Sequence, residues 1–291
     1  MVDRFKVKRL ASNLMHLYKT TSGVVLRHEN SYRFIGADWD TLISNDDLYR
    51  FLAEQDSDHS NEASEAVKHN LLAPIGTQEI WACGVTYFNS QMARREESEA
   101  AGGGDFYSKV YHADRPEIFF KSTAHRAAGH GQEVRIRADS TWDVPEPELT
   151  LIVSPTQKIL GYTVGNDMSS RSIEGENPLY LPQAKTYQQS AGIGPGLFIT
   201  EKPIPLETEI RLEIFRNDKR AFAGTTQLSS INRPFKELVS FLYRELAFPV
   251  GAYVMTGTGI VPTKDFTLEP GDRIEIEIGG VGKLVQTVTR G

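Results

Sequence analysis

The stretch that decides the fold is "EPELTLIVSPTQKILGYTVGND", residues 146–167. Two apolar runs with strand composition flank "SPTQK", a connection short enough for a hairpin, which would make the two strands antiparallel. Glu146 and Glu148 open the first strand, two apart and so on one face, with Cα atoms about 7 Å apart. Asp167 closes the second strand. In an antiparallel pair those two ends coincide, and three carboxylates converge. Such a cluster takes up protons unless a cation compensates it. An all-oxygen set suits a hard divalent ion, Mg²⁺, Mn²⁺ or Ca²⁺, and lacks the His or Cys donors that favour zinc. The spacing alone also fits a plain edge strand whose two Glu face water.

Outward from this hairpin the texture holds from about residue 78 to the end. Short runs such as "EIWACGVTY", "EIFFKST", "EIRLEIFRN" and "DRIEIEIGG" have strand composition. Only "FKELVSFLYRELAF" has firm helical spacing here, with Phe235, Leu238, Val239 and Leu242 on one face. Many strands and one late helix predict an α+β, mainly β architecture, a β-roll or distorted barrel rather than alternating βαβ units. Residues 1–75 read as a small N-terminal α/β module and 76–291 as the main β-roll domain. In the module, two strands flank a turn at His28-Glu29-Asn30, and Ser44 is the expected N-cap of a helix over "NDDLYRFLAEQ". Residues 89–114, charged, then Gly-rich, then aromatic, interrupt the strands as an insert or a hinged lid.

Hydrophobic residues at 40% and charged residues at 24% are ordinary globular values. A net charge of −6 and a pI near 5.7 argue against a nucleic-acid or anionic-membrane surface. A small anionic substrate remains compatible, because a site can be locally positive or hold a metal. The single cysteine, Cys83, permits no intrachain disulfide, and its apolar neighbours predict a buried thiol. "MVDRFKVKRLASNLMHLYKTT" lacks the apolar h-region of a signal peptide, and no run reaches membrane-spanning length. The expectation is a soluble cytoplasmic protein.

"GYTVGNDMSSRSIEGENPLYLPQAKTYQQSAGIGPGLF", residues 161–198, resembles the core signature of the fumarylacetoacetate hydrolase family. The matching features are Glu146 and Glu148, Asp167 with Arg171, Lys185 in a "QAK" setting, and Gly194-Pro195. "CGVTY" (83–87) looks like the family's first strand, "FFKS" (119–122) its F-x-K strand and "MTGTG" (255–259) its T-G-T loop. The motifs run in the family's order over residues 80–288.

The resemblance implies a β-roll with Mg²⁺ held by Glu146, Glu148 and Asp167, a small-molecule 2-oxo-acid substrate, and a homo-oligomer. Hydrolases of the family often carry a His on the lid after the first strand, and Ser90 stands there in this chain. By contrast "SRSIEGENPLYLPQAK" looks like the branch that dehydrates 2-keto-3-deoxy sugar acids, for which a five-carbon substrate would give 2,5-dioxopentanoate. In that reading Lys185 is the expected base and Glu117 the expected acid, with the two roles open to exchange. Lys121, Arg171, Gly257, Thr258, Tyr87 and Ser90 are the expected substrate contacts, and Arg171 equally fits a role holding the ligand loop. The alternatives are a C–C bond hydrolase of a β-diketo acid, with Glu97 or another lid residue activating water, and a metal-dependent 2-oxo-acid binding protein.

Overall fold

The computed structural model describes residues 14–55, 58–88 and 109–291. In chain order the first strands are β1 (Met15–Thr20), β2 (Gly23–His28), β3 (Ser31–Ile35), β4 (Glu79–Gly84), β5 (Glu117–Thr123) and β6 (Ala127–Ala128). Next come β7 (Glu133–Ile136), β8 (Asp143–Val144), β9 (Pro147–Val153), β10 (Ile159–Asp167), β11 (Ser169–Ser170) and β12 (Ala191–Ile199). The chain ends through β13 (Glu209–Arg216), β14 (Lys219–Gln227), β15 (Ala252–Met255), β16 (Arg273–Ile278) and β17 (Gly282–Arg290). Strands dominate, and the architecture is α+β, mainly β.

The large sheet runs β3-β2-β1-β12-β10-β9-β15-β4-β5, with β6 also on β12. A second sheet, β14-β13-β16-β17-β7, packs over it. Every residue of β9 is buried, and side-chain alternation explains why. Leu149, Leu151 and Val153 enter the core shared with the second sheet and the helix Phe235–Leu242. Ile152, on the opposite face, enters the core built with the N-terminal strands and helices. A strand covered on both sides reads as a near-continuous apolar run, as Leu149–Val153 does apart from Thr150. In the late helix Leu238, Val239 and Leu242 are buried and Phe235 packs beside them.

Residues 14–75 extend the large sheet. β1 pairs antiparallel with β12 in the register Leu17↔Leu197, and β2 and β3 follow it as the expected hairpin. Ser44 is not the N-cap expected of it. It ends the helix Trp39–Ile43, its N–H reaching the Asp40 carbonyl, and the next helix starts after Asp47 without a side-chain cap. The polar stretch beyond forms the helix Asn61–His69, capped by Ser60, whose hydroxyl accepts from the Ala63 N–H at 3.1 Å. Ala63 and Ala66 are its buried contacts. Among the described residues no helix is long and apolar enough to cross a membrane.

Candidate active site

The β9–β10 hairpin delivers the three carboxylates as one cluster. Gly165 pairs with Glu148, and the Asp167 N–H donates to the Glu146 carbonyl at 2.9 Å. All three side chains are buried, and one oxygen from each lies within 4.8 Å of the others. A Cβ at Gly165 would overlap the Thr150 hydroxyl, so glycine lets these two strands lie together beside the cluster.

Among the described residues three cations meet this cluster, all buried. Lys185, the last residue of the helix Leu181–Lys185, places Nζ 2.7 Å from Glu146 Oε2 and 3.0 Å from Asp167 Oδ2. Lys121 on β5 pairs with Asp167 Oδ1 at 2.5 Å and donates to the carbonyls of Met168 and Lys185. Arg171 begins the helix Arg171–Glu176 and donates from Nη2 to Glu146 Oε1 at 2.7 Å. Its Nε lies 3.9 Å from Glu174 Oε2, a fourth buried carboxylate, which accepts from the Ser169 hydroxyl at 3.1 Å.

Four buried carboxylates thus face three buried cations. Among the described residues Glu148 is the one with no cation in ion-pair contact; it accepts the Gly257 N–H at 2.6 Å. Burial, followed by repulsion from Asp167 and Glu146, pushes its carboxyl well above the ordinary carboxylate range. Burial drives the Lys121 ammonium the other way, below its ordinary value, against the opposing pull of Asp167. An oxygen-only donor set, closely spaced, buried and short of one positive charge, fits a hard dication. Cys83 adds no soft donor, because burial and then Glu148 and Glu117 raise its thiol well above the usual range.

Glu146, Glu148, Asp167, Arg171, Lys185, Gly257 and Thr258 line one cleft together with Cys83, Gly84, Val85 and Phe119. The Thr258 hydroxyl turns back into its own loop, donating to the Ile260 carbonyl at 3.1 Å. Lys121 stands behind Asp167 and outside the cleft lining. Tyr87 is buried beside Ile231, to which it bridges, and burial and Glu148 hold its phenol neutral by raising it. Glu117 pairs across the sheet with Gly84, and a Cβ at 84 would overlap the Glu117 carboxylate. Ser90, Glu97 and residues 89–108 of the expected lid lie outside the described residues.

Sequence reasoning missed Glu174, Gly84 and Thr86, whose buried hydroxyl donates to the Thr256 carbonyl at 2.6 Å beside the cluster. The i, i+3 spacing from Arg171 on a capped helix was a usable signal for Glu174. The roles of the other two depend on strand pairing and on a distant loop.

Residues 86–289 match the fumarylacetoacetate (FAA) hydrolase C-terminal family. The chain is 43% identical over 249 residues to the probable 2-keto-3-deoxyxylonate dehydratase of Haloferax volcanii, covering 85% of this chain and 84% of that one. It is 40% identical over 226 residues to the 2-dehydro-3-deoxy-D-arabinonate dehydratase of Saccharolobus solfataricus, covering 76% and 74% respectively. A solved 2-keto-3-deoxy-D-arabinonate dehydratase complexed with magnesium and 2,5-dioxopentanoate superposes with a TM-score of 0.80 at 30% identity. It covers 96% of this chain and 99% of that one.

Proposed function

The chain belongs to the fumarylacetoacetate hydrolase family, and from that premise we propose that it dehydrates a 2-keto-3-deoxypentonate to 2,5-dioxopentanoate. One observation carries the reading: a buried amine, Lys185 Nζ, stands between two carboxylates of the Glu146–Glu148–Asp167 cluster in a cleft. Glu146, Glu148 and Asp167 would hold Mg²⁺, which when bound supplies an electrophile for the carbonyl and carboxylate oxygens of a 2-oxo acid.

Lys185 Nζ, acting as the neutral amine after its ammonium has released a proton to solvent, is the group assigned to take the C3 proton, the acidic one because it lies next to the ketone. Glu117 is assigned to protonate the departing C4 hydroxyl, which leaves as water. Elimination then leaves a 2-oxo acid with a C3–C4 double bond and a hydroxyl at C5. The Glu117 carboxylate takes a C5 proton, Lys185 returns one to C3, and the resulting C5 enol tautomerises to the aldehyde. Each group gives back what it took, so the cycle closes without an external acid or base. Arg171 holds Glu146 in place, and Lys121 does the same for Asp167. Self-association, expected of the family, belongs to this reading and is checked by the mass of the protein in solution.

The test is a mass-spectrometric assay with Mg²⁺ on 2-keto-3-deoxypentonates and, in parallel, on acylpyruvates. A product one water lighter than the sugar acid, absent with Glu148→Gln, is the expected result. Cleavage of the acylpyruvate with the sugar acid untouched would overturn it in favour of C–C bond hydrolysis.

A further inference from the structure

The turn that leaves β4, Gly84–Val85–Thr86, meets the metal-ligand cluster from a side that no motif reading suggests. Val85 sits in the left-handed region at φ 52, a conformation a β-branched side chain rarely adopts. This bend sends the Thr86 side chain inward, where it is fully buried. Its hydroxyl donates to the Thr256 carbonyl at 2.6 Å. The other end of that same peptide unit is the Gly257 N–H, which donates to Glu148 Oε2 at 2.6 Å.

We infer that Thr86 is a positioning residue for Glu148: its hydroxyl fixes and polarises the Thr256–Gly257 peptide, whose amide holds the Glu148 carboxylate in place as a cation ligand. Hydrogen bonds at opposite ends of one amide reinforce each other, because each increases the polarity the other sees. Among the described residues no cation stands in ion-pair contact with Glu148, so this amide is its anchor. The remaining geometry serves the same end. Thr256 is pinned to β9 just past Glu148, its N–H and its hydroxyl donating to the Leu149 carbonyl at 3.1 and 2.9 Å. Gly257 is in the left-handed region at φ 92, and a Cβ there would overlap the Thr86 hydroxyl, so glycine at 257 is required by Thr86 as well as by the turn. On the far side the Thr86 carbonyl accepts the Asn232 N–H at 2.8 Å, tying the turn to the body of the protein.

The inference rests on the reading of Glu148 as a Mg²⁺ ligand, and its test separates the two. Mg²⁺ binding is measured by titration calorimetry on the wild type, Thr86→Val and Thr86→Ser, with the melting temperature of each metal-free protein alongside. Loss of a residue that orients a ligand weakens metal binding by about 10- to 100-fold. That loss is expected for Thr86→Val, which keeps the shape and removes the donor, while Thr86→Ser should stay within a few-fold of the wild type. A Thr86→Val protein that melts lower yet binds Mg²⁺ like the wild type would overturn the positioning role and leave the metal site intact. Should Thr86→Val fail to fold, Thr86→Ser still decides, since a tenfold loss there would place the effect in the methyl group rather than the hydroxyl. A wild type that binds no Mg²⁺ would overturn the proposed function and this inference with it.

Discussion

Glu148→Gln should abolish the Mg²⁺ response without harming the metal-free protein, and the structure says why. One oxygen from each of Glu146, Glu148 and Asp167 lies within 4.8 Å of the others. At an effective dielectric of about 20, each like-charge pair at that distance costs about 3.5 kcal/mol. Lys185 and Arg171 offset the charge of Glu146, and Lys121 and Lys185 that of Asp167, whereas among the described residues Glu148 has a single backbone N–H. Its carboxyl is therefore raised well above the unfolded value of 4.5 by burial and by its two neighbours. The folded state then holds this proton more tightly than the unfolded chain. Stability of the metal-free protein must fall with rising pH from the unfolded value up to the folded one, by up to about 1.4 kcal/mol per pH unit. Gln cannot ionise, so the variant should lose that slope and equal or exceed the wild type in EDTA at about pH 8. Added Mg²⁺ reverses the order. At a hundredfold excess over its dissociation constant it stabilises the wild type by about 2.7 kcal/mol, or about 5 °C for a chain of this size. The variant should show no such rise at the same concentration. Thermal melts between about pH 5 and about pH 8, with EDTA and with Mg²⁺, supply every comparison. A variant several kcal/mol less stable without metal at the upper pH, or one stabilised by Mg²⁺ as the wild type is, would refute the reasoning.

Other residues of the site give sharper separations. Lys185→Met should lower turnover by about 10²- to 10⁴-fold, while binding Mg²⁺ at least as tightly, because the ammonium that shares Glu146 and Asp167 is gone; weaker binding would show that the lysine supports the metal. Gly84→Ala should push the Glu117 carboxylate aside and reduce turnover by at least about tenfold, with Mg²⁺ affinity retained in calorimetry. Unchanged kinetics would remove Glu117 from the acid role. Arg171→Met leaves Glu146 and Glu174 buried without this partner and should cost about 3–5 kcal/mol in denaturant unfolding. A loss below about 1 kcal/mol would mean that the pair is solvated.

What the sequence exposed and what it concealed divide along a physical line. The mainly β architecture was legible because the bodies of β9 and β10 are buried and mostly apolar, β9 being covered on both faces, and the family because Glu146, Glu148, Asp167, Arg171 and Lys185 stand in its motif order. The convergence of Glu146, Glu148 and Asp167 followed from a five-residue connection and the geometry of antiparallel pairing. In contrast, the junction of β1 with β12 joins Leu17 to Leu197, and no local pattern encodes a pairing at that separation. Ser44 misled for a related reason: a cap signal is local, and here it fits the end of one helix as well as the start of the next. Thr86 acts across 170 residues on a peptide group, not on a side chain, so no motif of residue types could contain it.

That division reflects how the site is built. The ligand carboxylates stand at the open ends of strands whose bodies are locked in two cores, where the backbone is rigid and the side chains still reach a cleft. The charged groups are written into the sequence as residue types. Their alignment is supplied in part by backbone groups: the Glu146 carbonyl that accepts from Asp167 and the Met168 carbonyl that accepts from Lys121, both at the hairpin itself, and the Gly257 amide on Glu148, which the fold brings in from a distant loop. A change in the Gly257 loop would act on a bound cation through Glu148 without altering the three carboxylates. Thr86→Val should therefore lower Mg²⁺ affinity while the Glu146, Glu148 and Asp167 side chains remain in the chain unchanged.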